Sequence, residues 1–240
     1  MTAIAAPPTH RVITPAAGAA GVTPRRRHGI DGRPVPALRG RLHEAAIGPW
    51  LLIGARWIAA TPSPDRAAVA AFVVTTAAMF TASAAYHCWT EASPRQVVAR
   101  RWDHAMIHVA IAGTHTAVWP FVAPPAVAAC ALGGVWLVAA VGIVHAHRHV
   151  GRELTAQVDT HFVISAAGGA TVLPWLVAGA PLASMILIVA GGIAYVIGAL
   201  VLARRALDLA PGVFGYHESW HLFVVVGVAL HAAGIAVLTA

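Results

Sequence analysis

Residues 214–221, FGYHESWH, place two histidines four residues apart at the head of an apolar run that continues to Ala240. In a helix, residues with this spacing lie on one face, about 6 Å apart along the axis. Two imidazoles in that arrangement can bind the same metal ion. His217 and His221 are therefore candidate metal ligands, and the rest of the chain must supply a third.

The composition indicates a membrane protein. Of the 240 residues, 58% are hydrophobic and 10% are charged, and the mean hydropathy is +0.72. That is too little polar material to cover a soluble globule of this size. The apolar runs lack the alternating pattern of barrel strands, so an all-α fold is expected. The net charge of +7 comes from arginines clustered between apolar runs, which is typical of membrane-flanking charge and argues against nucleic-acid binding.

The chain divides into a tail and a membrane domain. Residues 1–37 mix Thr, Ala, Gly and Pro with basic residues and are predicted to be a disordered cytoplasmic tail. Residues 38–240 are predicted to form a bundle of seven transmembrane helices, because each apolar run has roughly the 20 residues that cross a bilayer. The predicted spans cover residues 44–61, 66–88, 102–121, 125–145, 158–178, 181–203 and 214–239.

The distribution of arginine predicts the orientation. If the tail is cytoplasmic, the residues before the first span and the inner loops together hold 14 of the 16 basic residues, all of which are arginine. Cytoplasmic loops carry such an excess of positive charge. We therefore expect a multi-pass protein of the cell membrane, inner or plasma, with its N-terminus in the cytoplasm and its C-terminus outside.

This topology brings distant residues to one depth near the cytoplasmic boundary. His87 ends the second predicted span, Asp103 begins the third, and His217 and His221 begin the seventh. We predict that the three histidines bind Zn²⁺ and leave one position for water, with iron or manganese as alternative metals. Asp103 would be the general base. Ser83, one turn before His87, would contact the substrate carbonyl.

Each of these candidate site residues also has a purely structural interpretation. A histidine in a membrane helix often makes a packing hydrogen bond, and a serine hydroxyl can bond to a carbonyl of its own helix. Several ionisable groups at one depth favour the metal site, because each would otherwise need its own compensation in lipid. Cys88 is interpreted as a small core residue and only secondarily as a ligand. Glu44 is interpreted as a solvated charge at a helix start, with a bond to a ligand histidine as the alternative.

Two further patterns admit other functions. His104, His108 and His115 form one stripe on the third helix, which favours interhelical hydrogen bonds over a proton or ion path. The segment HESWH also matches the His-Glu-x-x-His pattern of metalloproteases, in which Glu218 would be the base. That interpretation is disfavoured because Glu218 points about 100° away from His217 on a helix.

Five stretches carry a resemblance to a known family: LRGRLHEAA, SAAYHCW, RRWDHAMIHVAIAGTHT, GGIAYVIGA and FGYHESWH. The chain resembles the haemolysin III family, within the larger group of progestin and adiponectin receptors, and more distantly the alkaline ceramidases. The resemblance implies seven helices and an intracellular zinc held by His87, His217 and His221, with Ser83 and Asp103 beside it. It also implies chemistry like that of hydrolase relatives, which cleave ceramide-type amides.

The chain departs from its relatives on the third helix. His108 stands where relatives usually have an aromatic residue, and the Ala-Gly-Thr-Tyr-Thr-Pro signature has His115 for its Tyr and Ala117 for its Pro. Neither departure touches the metal set, but both bear on the shape of the substrate cavity.

Together these patterns predict a zinc-dependent membrane hydrolase of a lipid amide or ester, with a membrane lipid as substrate or ligand. The alternative is a non-enzymatic protein, either a receptor-like sensor or a pore-forming cytolysin, in which zinc only ties helices together.

Overall fold

The computed structural model describes residues 34–89, 94–149 and 154–240, and within them the chain forms helices and no β-strand. The predicted all-α fold is confirmed. Of the predicted tail, residues 1–33 lie outside the described residues. The helices are α1 (Arg41–Ala60), α2 (Ser63–Ala84), α3 (Pro94–Thr116), α4 (Trp119–Val122), α5 (Pro125–Arg148), α6 (Leu154–Gly179), α7 (Leu182–Arg204) and α8 (Tyr216–Leu238). A π-helical turn, Ala85–Trp89, continues α2.

Five helical segments of the described chain are long and apolar enough to cross a membrane. They match the second, third, fourth, sixth and seventh predicted spans, and they cover Ser63–Trp89, Arg95–Val122, Pro125–Arg148, Leu182–Arg204 and Tyr216–Leu238. Helix α1 is less apolar because it includes Glu44, Pro49 and Arg56. In α6 the apolar part is the shorter segment Ala166–Gly179. The seven-span count and the orientation of the termini therefore stay predictions.

Prolines set the starts of three helices. Pro62, Pro124 and Pro181 occupy the N-cap positions of α2, α5 and α7. Proline cannot donate a backbone hydrogen bond, so it costs little at a helix start, where the N–H group would have no partner within the helix. These connections are short and keep consecutive helices side by side.

The helices enclose one apolar core. Helix α2 packs against α1 and α3, α3 against α5, and α7 against α8, while α1 also contacts α8. Large buried side chains at the centre include Phe72, Phe80, Leu176, Ile188 and Ile235. Because α1 contacts both α2 and α8, the end of α2 and the starts of α1, α3 and α8 meet at one end of the bundle. Every candidate site residue lies at that end.

The histidine stripe of α3 packs against glycines of neighbouring helices. A Cβ added at Gly142 of α5 would lie 2.3 Å from Nδ1 of His108, and one at Gly168 of α6 would lie 2.6 Å from Nε2 of His115. Both imidazoles are buried, so each fills space that only a glycine leaves open. His108 and His115 therefore lie between helices, and the interhelical hydrogen bonds expected of the stripe stay a prediction.

His231 of α8 packs in the same way against α7. Its Nε2 donates a hydrogen bond of 3.0 Å to the carbonyl oxygen of Ile188. A Cβ at Gly191 would lie 2.3 Å from its ring, whereas one at Gly192 would meet nothing within 4 Å. Because Gly191 has no side chain, the ring of His231 can lie close enough to α7 to bond to its backbone.

We expect Gly191→Ala to lower the free energy of unfolding by about 1–3 kcal/mol, the usual cost of overpacking a core. Gly192→Ala is the matched control, because both substitutions favour the helix equally and only the first creates a clash. Thermal unfolding in detergent, followed by tryptophan fluorescence, compares the two variants. Equal Tm values would contradict the packing described here.

Candidate metal centre

The structure brings His87, His217 and His221 together. Nε2 of His87 lies 3.3 Å from Nε2 of His217, and one ligand atom from each of the three residues lies within 4.8 Å of the other two. With Zn–N bonds of about 2.0–2.1 Å, two nitrogens of a tetrahedral zinc site are roughly 3.3 Å apart. The three imidazoles are therefore spaced to hold one such ion after small side-chain rotations.

Two local structures present these imidazoles. His87 lies on the π-helical turn that ends α2, and such turns often occur at functional sites because they redirect a side chain. His217 and His221 lie in the first two turns of α8, one above the other on the same face. Oε2 of Glu218 accepts a hydrogen bond of 2.8 Å from the backbone N–H of Gly215, which caps α8 at its first turn.

Asp103 lies beside the three histidines. Its Oδ2 is 3.7 Å from Nε2 of His87 and 3.9 Å from Nδ1 of His104. Nδ1 of His104 donates to the carbonyl oxygen of Arg100, 2.8 Å away on its own helix. The carboxylate of Asp103 thus lies beside the three-histidine group, while the hydrogen on Nδ1 of His104 is directed at the α3 backbone.

Ser83 also lies at this site. It is 1% exposed, and its hydroxyl has no hydrogen-bond partner within the described residues. The hydroxyls of Thr75, Thr76 and Thr81 on the same helix each bond to a carbonyl oxygen of the preceding turn. The Ser83 hydroxyl instead lies close enough to the carboxyl of Asp103 to interact with it. The hydroxyl is thus not committed to a carbonyl oxygen of its own helix.

Glu218 has a different role from the base of a metalloprotease. Its side chain is fully buried, and Oε1 forms an ion pair with Nε of Arg39. Its second oxygen caps α8 through Gly215. Both oxygens of Glu218 are thus engaged in structural contacts, one with a guanidinium and one with a helix cap.

Cys88 and Glu44 also point to other partners. Cys88 is buried, and its Sγ donates to the carbonyl oxygen of Arg39 at 3.3 Å. Glu44 accepts hydrogen bonds from Arg41 and, at 2.7 Å, from Nε1 of Trp89. Glu44 is thus a paired charge at the start of α1. Neither residue belongs to the histidine group among the described residues.

Sequence reasoning missed His43. This residue is 3% exposed, and its ring stacks on His221 with centroids 4.0 Å apart and planes at 5°. The stacking fixes the plane of the His221 ring. His43 directly precedes Glu44 in the stretch LRGRLHEAA, and no sequence spacing links it to His221.

A family model described as haemolysin-III related matches residues 35–232. The match begins just before Arg39 and runs to the last turns of α8, so it includes all five candidate site residues, namely Ser83, His87, Asp103, His217 and His221. The apolar helices of the bundle fit a multi-pass membrane protein. The matched residues are more than half of the chain, and the protein belongs to the haemolysin-III related family.

Proposed function

We propose that this protein is a zinc-dependent membrane hydrolase that cleaves a lipid amide or ester, and that ceramide-type amides represent its substrate class. One observation carries the proposal: three imidazoles from helices far apart in the chain converge on one point of an apolar bundle. An acid–base group and a hydroxyl donor, Asp103 and Ser83, stand beside that point.

The donor set fits zinc. Imidazole nitrogen is a common zinc ligand, and three protein ligands with one open position are typical of catalytic zinc sites. The stacked ring of His43 holds His221 in place, as outer partners of metal-binding histidines generally do. Iron or manganese is the alternative metal for a site with a carboxylate nearby.

Each side chain of the site has a separate role in the proposed hydrolysis. Bound by the histidines, Zn²⁺ supplies Lewis-acid chemistry, which polarises a carbonyl and lowers the pKa of a water to about 7. Asp103 accepts the proton of the attacking water and returns it to the leaving amine or alcohol. Ser83 donates a hydrogen bond to the carbonyl oxygen as negative charge develops on it. The apolar helices receive the acyl chain.

A second candidate is a non-enzymatic sensor or cytolysin with structural zinc. It is favoured by the position of Asp103, whose Oδ2 lies 3.7 Å from Nε2 of His87. That distance is close to the spacing of two ligands in one tetrahedral site, roughly 3.3 Å. With Asp103 as a fourth ligand the site would be closed, as structural zinc sites are.

We expect the purified protein to contain about one zinc ion per chain, the stoichiometry of a three-histidine site, and to hydrolyse an acyl amide or ester in a lipid screen. Dialysis against a chelator removes both the metal and the turnover, and added Zn²⁺ restores them. Elemental analysis and mass spectrometry of the lipid products measure the two quantities. The matched control lipid is an ether-linked analogue, which cannot be hydrolysed.

Two outcomes would overturn the proposal in different ways. A protein with stoichiometric zinc that cleaves no ceramide or related acyl lipid is not a hydrolase of this class, and the sensor or cytolysin becomes the better interpretation. A well-folded protein that retains no metal after exposure to Zn²⁺ has no metal site of either kind.

A further inference from the structure

Residues 36–40, named here the N-terminal strap, cross the end of the bundle just before α1. The backbone N–H groups of Ala37 and Leu38 donate hydrogen bonds of 3.0 Å to the carbonyl oxygens of Gly212 and Val213. These two acceptors belong to the loop that leads into α8. The strap is therefore hydrogen-bonded to the segment that delivers two of the three clustered histidines.

The side chain of Arg39 extends this connection into α8. Its Nε pairs with Oε1 of Glu218, which is fully buried and lies between His217 and His221 in the sequence. The other oxygen of Glu218 accepts the N–H of Gly215. A buried carboxylate that bridges a helix cap and a guanidinium holds the first turn of α8 in one position.

The backbone of the strap contacts the other half of the site. The carbonyl oxygen of Arg39 accepts the hydrogen bond of the Cys88 thiol. Gly40 has a φ of +77°, and a Cβ there would lie 2.5 Å from Cβ of His87 and 2.8 Å from Sγ of Cys88. Only glycine allows the chain to pass this close to His87.

We propose that Arg39 is a positioning residue for the metal site, because its side chain holds the His217–His221 half through Glu218 while its backbone holds the His87 half through Cys88. This inference rests on the proposed function, since it assumes that the three histidines bind a metal. It adds residues from outside the predicted spans to that function.

The opposite charges of Arg39 and Glu218 are consistent with this positioning role. An unneutralised guanidinium beside a metal site would oppose the binding of a metal cation. The carboxylate of Glu218 neutralises it. The pair thus joins the two halves of the site without adding net charge beside the metal.

The experiment measures the dissociation constant of Zn²⁺ for the full-length protein in detergent, by competition with a coloured chelator. We expect Arg39→Met and Glu218→Gln each to raise it about 10–100-fold, the usual effect of losing a partner that orients a metal ligand. The visible spectrum of the Co²⁺-loaded protein should also change in both variants. Arg39→Lys, which can still pair with Glu218, should recover most of the affinity.

The matched control is Arg41→Met. Arg41 is the next arginine along the chain, and it pairs with Glu44 at the surface, with side chains 51% and 29% exposed. We expect this variant to bind Zn²⁺ as the unaltered protein does. If Arg39→Met does not fold, the double variant Arg39→Met, Glu218→Gln decides the matter, because it removes both charges of the pair together and its glutamine can still accept the hydrogen bond from Gly215.

The results separate this inference from the proposed function. Variants that melt at a lower temperature without metal but keep the Zn²⁺ dissociation constant and the Co²⁺ spectrum would show that the pair only stabilises the fold, which overturns the inference alone. An unaltered protein that binds no Zn²⁺ overturns the proposed function and this inference with it.

Discussion

Asp103→Asn is expected to lower kcat by about 10²–10⁴-fold, the usual contribution of a general base, while the zinc content stays unchanged. Asparagine has nearly the same shape as aspartate, so it can occupy the place beside His87, but it cannot accept a proton from water. Steady-state turnover of the acyl lipid and elemental analysis of the same preparation measure the two quantities.

The same substitution at Asp65 is the matched control. Asp65 lies in the first turn of α2, at the opposite end of that helix from His87, and its substitution should leave kcat unchanged. Loss of zinc together with activity in Asp103→Asn would show that Asp103 is a fourth metal ligand. The closed, structural site would then be the correct description, and the assignment of Asp103 as a base would be wrong.

His87→Ala is expected to reduce the zinc content from about one ion per chain to nearly none, because two imidazoles on one helix leave the coordination shell half empty. The stability that comes from metal binding should disappear with it. That contribution is about 4 kcal/mol when free zinc is 1,000 times its dissociation constant. Elemental analysis and thermal melts with and without added Zn²⁺ measure both effects.

His147→Ala is the control for a histidine outside the group. Nδ1 of His147 donates to the carbonyl oxygen of Ile143, 3.0 Å away on its own helix. Its loss should change neither the zinc content nor the response of the Tm to Zn²⁺. An equal rise in Tm with Zn²⁺ in the unaltered protein and in His87→Ala would contradict the assignment of His87 as a ligand.

The proximity of His87 and His217 could be predicted, because each residue lies at the end of a predicted membrane span. Apolar runs of membrane-crossing length place their ends at two depths only, and the arginine pattern sorts those ends into inner and outer sets. The two residues are 130 positions apart in sequence, yet their Nε2 atoms lie 3.3 Å apart. The family resemblance, confirmed by the match over residues 35–232, rests on the same stretches.

The contacts of Arg39 and His43 could not be predicted in that way. The strap shows no repeating pattern of hydrophobic residues that would predict its structure. Its partners Gly212 and Val213 lie in a loop near the other end of the sequence. Such pairings depend on how the finished helices pack. The π-helical turn that carries His87 was likewise beyond prediction, since its residues would suit an ordinary α-helix equally well.

The number of spans shows a further limit. Hydropathy identifies α2, α3, α5, α7 and α8 without difficulty. Helix α1 carries polar groups in its first turns: His43 stacks on His221, and Glu44 pairs with Arg41 and Trp89. That α1 crosses the membrane therefore stays a prediction, because its hydropathy does not identify it as a span.

The link between Arg39 and Glu218, 179 residues apart, constrains how the protein can be made. A nascent chain inserts its helices in order, and the strap leaves the ribosome long before α8 exists. Until α8 has been synthesised, Arg39 lacks the carboxylate of Glu218. His87 likewise lacks the other two histidines of its group. The group of His87, His217 and His221 can therefore form only after translation is nearly complete, and a chain stopped before Glu218 would have neither the ion pair nor all three histidines.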